Sequence, residues 1–419
     1  MGRILAGAVL AATLFACRPD ANPVGPIAAS RNHDSNSEPL ASPAWQATAA
    51  TFVAQANQPA TTATRGYSLL GVAQYLAVQT AEAASGDRDG EDDENGGGRS
   101  RRASDRGAVA GASAVVLSYL FPLRVQALED MVTAQRGVGS AEAQLAFARG
   151  EVIGRAVGDE IVTRAKGDGF TTLFPYSNVP VGDGFWFSEA PTQSVAGGPL
   201  AGTRPWFLDS ASQFRPGPPP AFGSPAFLAA LAEVRRISDT RTHAQDSIAT
   251  YWALGAATPT TAGFWIQVAT EGINQHGFSE RRATHLYALL SATMFDAQIA
   301  CWDAKETYWV KRPWQADHAI TVVAAVGKPN HPSYTSGHSC ISSSGAEVLK
   351  AFFPAQRARL DAMVIEAGLS RVYGGIHYQF DCDAGQVLGR SVAHLAIAAD
   401  RSGESVLGGE DGERGDRRR

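Results

Sequence analysis

"SERRATHLYALLSATMFDAQIA", residues 279–300, carries Leu286, Leu289, Leu290, Thr293 and Ala297 three or four residues apart. That spacing marks one face of a buried helix. The same period runs outward through residues 66–85, 107–122, 225–238, 242–254, 342–353, 357–370 and 385–400, with two further amphipathic helices over 123–167. Strand-like alternation is scarce, so the expectation is all-α: one or more helical bundles. The exception is a long irregular central loop, about 168–222, that includes "GTRPWFLDSASQFRPGPPP". A connection that long in a compact domain usually shapes a site.

The chain has 419 residues, 44% hydrophobic and 18% charged, enough for a substantial core. Its net charge of -5 excludes a general field for nucleic acid, so any anion binding must be local. The start, "MGRILAGAVLAATLFACRPDANP", has Arg3, a short apolar run and Cys17. This predicts an export signal over 1–17, and "LFAC" resembles a bacterial lipobox, implying lipid attachment at Cys17 in the cell envelope or periplasm. An ordinary signal peptide cleaved nearby is the alternative. Residues 18–43 read as a disordered tether, 44–400 as the folded domain and 401–419 as a disordered tail. Inside the domain, acidic, glycine and basic blocks predict a disordered insertion at about 86–105, and the ligand order of a calcium loop is missing there.

Three stretches carry chemistry. "KETYWVKRPWQ" (305–315) separates Lys305 from Arg312 by six residues. "NHPSYTSGHSC" (330–340) sets Ser336, Gly337 and His338 at what reads as a helix start, and "SRVYGGIHYQFDCDAG" (370–385) holds Arg371, His377 and Asp381. If the residues after Gly375 are helical, His377 and Asp381 share a face, and the carboxylate fixes the ring tautomer. Gly374 and Gly375 permit a tight turn between Arg371 and His377. A multiply charged tetrahedral oxyanion needs several fixed donors, which three cations and the N–H groups of a helix start supply. Each feature alone is commonplace: a Lys-x6-Arg pair is usually a solvated face, and His-x3-Asp is usually a structural hydrogen bond. Their conjunction is specific.

Lys305-x6-Arg312-Pro313, Pro332-Ser333-x2-Ser336-Gly337-His338 and Ser370-Arg371-x5-His377-x3-Asp381 resemble the three-part signature of the phosphatidic acid phosphatase type 2 and vanadium-dependent haloperoxidase superfamily. The resemblance implies that Lys305, Arg312, Arg371, Ser336 and the Gly337 N–H hold phosphate or vanadate. It makes His377 the phosphorylated residue or the vanadium ligand, Asp381 its orienter and His338 the acid and base. The expanded Pro-Ser-x2-Ser-Gly-His is similar to that of the haloperoxidase branch. Trp302 and His331 match positions beside the cofactor and halide in that branch, though core packing and a surface turn are their plainer readings. No long apolar span follows the signal, unlike the integral lipid phosphatases. The implied activity is halide oxidation, bromide in particular, by hydrogen peroxide with vanadate as cofactor. The alternative is an acid phosphatase working through a phosphohistidine on a phosphate ester, with no cofactor.

Two other classes compete: a non-catalytic phosphate-binding lipoprotein, and a zinc hydrolase built from His331, His338, His377 and Asp381. Three basic residues facing a divalent cation argue against the latter. The only membrane contact expected is the lipid anchor. Cys301, Cys340 and Cys382 flank the motifs, and in an oxidising compartment two of them could pair; the sequence does not choose which.

Overall fold

The computed structural model describes residues 39–85, 97–404 and Leu407. Its helices are α1 (Ala41–Gln55), α2 (Ala60–Ser85), α3 (Gly97–Leu120), α4 (Val125–Arg136), α5 (Ala141–Lys166), α6 (Pro225–Thr240), α7 (His243–Tyr251), α8 (Thr260–His276), α9 (Glu280–Tyr308), α10 (Pro313–Ala316), α11 (Gly337–Phe352), α12 (Arg357–Tyr373) and α13 (Gln379–Arg401). Among the described residues there is no strand, only an isolated bridge between Phe185 and Val310. The all-α expectation is therefore met.

Helix α9 is the axis. It is buried on nearly every side from Glu280 to Lys305, rather than on the single leucine face its spacing suggested. Helices α2, α11 and α13 all pack along it. Its start holds α1: the Glu280 carboxylate accepts the N–H groups of Ala41 and Ser42 at 2.7 and 2.8 Å, filling two donors that a helix start leaves open.

Glycines let helices approach to backbone contact. A Cβ on Gly150 of α5 would stand 1.9 Å from Ser104 O of α3, and one on Gly389 of α13 would stand 2.3 Å from Cys340 O of α11. The second approach lays the start of α13 beside the start of α11.

Residues 168–222 contain two short 3-10 turns and no α-helix. This loop wraps α9 and is pinned by buried Asp296, which accepts the N–H groups of Trp206, Phe207 and Leu208 at 2.7–3.0 Å. Farther along α9, Trp302 Nε1 donates to Ala196 O at 2.9 Å.

Several boundaries differ from expectation. Residues 41–43, assigned to the tether, open α1, and residues 97–105, assigned to the insertion, belong to α3 with Ala103 and Asp105 buried. Packing against α5 compensates for the polar composition there. Helix α8 was not anticipated, because Gly263, Gly272 and three threonines dilute its apolar period. Residues 1–38, Cys17 included, and 86–96 lie outside the described residues. No described helix is long and apolar enough to cross a membrane.

Candidate active site

Lys305 occupies the last turn of α9. After it the chain reverses at Trp309, whose φ of 50° is uncommon for a residue with a side chain. The loop holds that turn, since Trp186 donates to Trp309 O at 2.6 Å and their rings stack at 6.3 Å. The reversal sets Arg312 at the N-cap of α10, with Pro313 opening that helix. Ser336 is the N-cap of α11, as expected, and Gly337 its first residue. Arg371 lies in the last turn of α12.

His377 and Asp381 do meet, with Nδ1 and Oδ2 2.8 Å apart, but not as two residues of one helix. Helix α13 begins at Gln379, so His377 precedes it and Asp381 reaches back from the first turn. The reversal from Arg371 to His377 uses Gly375 at φ +76°, where a Cβ would meet Thr321 O at 2.7 Å.

The wholly buried Lys305 ammonium donates to the carbonyls of Pro332, Ser333 and Thr335 at 2.8, 3.0 and 2.5 Å. Arg312 donates to His331 O at 2.9 Å, Ile376 O at 2.7 Å, His377 Nε2 at 3.0 Å and His331 Nδ1 at 3.0 Å. The start of α11 is tied to that of α13 by Ser336 N donating to Asp381 O at 2.9 Å. Arg371 and His338 form the side facing α7: Arg371 donates to Ala249 O at 3.1 Å, and His338 Nε2 to Trp252 O at 2.9 Å.

These partners assign the tautomers. His377 gives Nδ1–H to Asp381, leaving an Nε2 lone pair against Arg312. His338 gives Nε2–H to a carbonyl that can only accept, so Nδ1 is its basic nitrogen. His331 Nδ1 lies 3.0 Å from Arg312 and 3.3 Å from Pro332 O; the guanidinium can only donate and is the nearer, so Nδ1 accepts and the proton sits on Nε2. The His331 ring lies 5.0 Å from that of Trp302.

Burial holds all three imidazoles well below their usual range: Arg312 and Lys305 add to the effect at His377, Lys305 and Arg312 at His331, and Arg371 at His338. Each is neutral at pH 7. Burial also brings Lys305 down to about 8, Arg371 to about 9 and Arg312 to about 10. It lifts Asp381 to about 6 against the opposing pull of Ser333, Lys305 and Arg312, so the carboxylate remains ionised at neutrality. Lys305 and Arg312 thus face one buried carboxylate, and Arg371 adds a third buried cation beside His338 and His377. Among the described residues none of the three has a carboxylate within salt-bridge distance. Uncompensated buried charge costs several kcal/mol per ion, and a multivalent oxyanion is the chemistry that relieves it. The donor set fits phosphate or vanadate on that ground.

Residues 284–401 match the PAP2 superfamily. The superfamily resemblance read from the three motifs is borne out. An undecaprenyl-diphosphatase of Sulfolobus acidocaldarius is 39% identical over 79 residues, 18% of this chain and 37% of that protein, so the match spans little more than a third of the relative. A bacterial vanadium-dependent iodoperoxidase superposes with a TM-score of 0.71 at 22% identity, over 87% of this chain and 98% of that one. A holo-form bacterial vanadium-dependent chloroperoxidase superposes at 0.63 with 15% identity, over 86% and 96%. At these identities the likeness is one of fold.

The structure brings together Lys305, Arg312, His377, Asp381, His331 and Trp302, and sets Ser336, Gly337, His338 and Arg371 around them. The zinc alternative is not assembled, because no group of His, Cys, Asp and Glu among the described residues is arranged to hold a metal ion. Among the described residues there is no disulfide: Cys301, Cys340 and Cys382 are free, buried thiols. Two contributors went unassigned in the sequence. Ser333 Oγ donates to Asp381 Oδ2 at 2.5 Å, and Thr261 Oγ1 lies 3.1 Å from His338 Nε2. Ser333 was visible inside the second motif; Thr261, 77 residues from His338, left no signal.

Proposed function

We propose that this chain is a vanadate-dependent haloperoxidase that oxidises halide, bromide in particular, with hydrogen peroxide. Lys305, Arg312, Arg371, Ser336 and the Gly337 N–H would hold vanadate, with His377 Nε2 as the coordinating atom. Vanadate bound there supplies the Lewis acid that makes peroxide electrophilic toward halide. Asp381 keeps the His377 proton on Nδ1, which leaves Nε2 its lone pair. His338, neutral with Nδ1 free, takes a proton from incoming peroxide and returns it to the departing oxygen.

The observation that carries this branch is the His331–Trp302 pair beside the cage. Arg312 holds the His331 proton on Nε2, offering an anion a donor in an aromatic setting, which phosphate transfer does not need. The fold likeness to two vanadium haloperoxidases supports the same reading. Export and lipidation at Cys17 belong to this proposal as well.

The diphosphatase relative favours a second reading. In it, His377 Nε2 attacks a phosphate ester and His338 protonates the leaving group. Turnover under saturating vanadate separates the two, since vanadate inhibits a phosphatase and activates a haloperoxidase. Peroxide-dependent bromination of a phenol indicator well above the free-vanadate blank is expected. Bromination no faster than that blank, with efficient ester hydrolysis in vanadate-free buffer, would establish the phosphatase instead.

A further inference from the structure

Beneath the cage lie two thiols that neither reading uses. Cys301 on α9 and Cys340 on α11 are both wholly buried. They share the Thr335 hydroxyl, which lies 3.3 Å from Cys301 Sγ and 3.4 Å from Cys340 Sγ and so sets the two thiols on one atom. Cys301 Sγ also lies 3.5 Å from Thr335 O, the carbonyl that takes the Lys305 ammonium at 2.5 Å. Cys301 stands one helical turn before Lys305. Cys382 sits apart, its thiol donating to Gly368 O at 3.3 Å.

We propose that Cys301 and Cys340 are a peroxide-modified pair, in which Cys301 reduces a hydroperoxide and Cys340 resolves the product to a disulfide joining α9 to α11. In the first step the Cys301 sulfur attacks one peroxide oxygen and the O–O bond breaks. With hydrogen peroxide, the departing oxygen takes up a proton and leaves as water, and Cys301 becomes a sulfenic acid. In the second step the Cys340 sulfur attacks that of Cys301, the S–O bond breaks, and the thiol proton of Cys340 leaves with the oxygen as a second water. Two thiols and one peroxide give one disulfide and two waters, the sulfurs losing two electrons between them.

The roles follow from the surroundings. Burial pushes the Cys301 thiol up, but the neighbouring Cys340 thiol and the Lys305 charge outweigh it and hold it below the usual thiol range. Burial and the same contact push Cys340 well above the usual thiol range. Cys301, whose sulfur shares Thr335 O with the Lys305 ammonium, is therefore the attacking sulfur. Hydrogen peroxide is small, and Gly337 and His338, two and three residues from Thr335, are half-buried at the cage rim. The modification also has a consequence there. Forming the disulfide removes the thiol hydrogen that Cys301 gives to Thr335 O, loosening one of the three carbonyls that position Lys305.

The test uses the folded, vanadate-free chain, so its outcome is independent of the branch assigned above. It is exposed to a few equivalents of hydrogen peroxide, quenched with catalase, denatured, alkylated and mapped by mass spectrometry. Cys301 and Cys340 should lose alkylation together and appear as one crosslinked peptide pair, reversible by dithiothreitol, while Cys382 stays alkylated. Cys340→Ala should stop at a Cys301 sulfenic acid captured by dimedone, and Cys340→Ser serves if that variant does not fold. Oxidised protein should bind inorganic phosphate more weakly than reduced protein. Full alkylation of both thiols after peroxide, or oxidation of Cys382 at the same rate, would overturn the proposal.

Discussion

Replacing Asp381 by asparagine tests the proposed His377–Asp381 pair with little change of shape. Asp381 Oδ2 accepts from Ser333 Oγ at 2.5 Å, His377 Nδ1 at 2.8 Å and Tyr378 N at 3.1 Å, whereas Oδ1 is buried without a partner. An asparagine must place its amide oxygen at the Oδ2 position to keep those three donors, so the ring stays oriented and the change is one of charge. A hydrogen bond to an ionised acceptor contributes about 1.5–3 kcal/mol against about 0.5–1.5 for a neutral one. The His377 bond therefore loses about 1–1.5 kcal/mol, and turnover should fall roughly tenfold, inside the roughly 10–100-fold range seen for such partners. The assay is kcat and KM for bromination and for ester hydrolysis in one preparation, with thermal unfolding alongside. Turnover within twofold of the parent would refute the orienting role. A loss as complete as that of His377→Ala would refute it from the other side, placing Asp381 in the bond-making step.

His377→Ala should abolish either activity while the protein remains folded; full turnover in both assays would exclude His377 as the covalent or coordinating residue. Sulfate, divalent throughout, should bind more weakly as pH rises through about 8, because Lys305 then gives up its proton. Below the range where Arg371 follows at about 9, one linked proton makes the fall approach roughly tenfold per pH unit, and a flat calorimetric titration from pH 6.5 to 8.5 would show that Lys305 does not serve the anion. In the scaffold, Gly150→Ala places a Cβ 1.9 Å from Ser104 O and should cost about 3 kcal/mol by forcing α3 from α5. Gly202→Ala, with nothing within 4 Å, should leave the denaturation midpoint unchanged, and equal midpoints for the two variants would refute the close approach.

Helix period and motif spacing are local properties, and they made much of this protein legible in the sequence. The apolar repeat around Leu286 and Leu290 implied a helical body. The order Lys305, Arg312, Ser336-Gly337-His338, Arg371, His377 and Asp381 implied one oxyanion site, because those residue types at those spacings have few other uses together. What depended on packing was read less well. Helix α8 and the first turns of α3 were missed because tertiary burial offsets glycine, threonine and charge that local propensity counts against a helix.

The tertiary structure alone decided three things about the site. It placed His377 outside α13 rather than on its face, because the positive φ of Gly375 turns the chain before the helix begins. It chose the nitrogens of His331 and His338, since Arg312 and Trp252 O, remote in sequence from those rings, fix which atom of each carries the proton. And it selected Cys301 and Cys340 from three thiols. That pairing depends on how closely α9 and α11 approach around Thr335, a distance set by the packing of two helices and written in no local stretch of the chain.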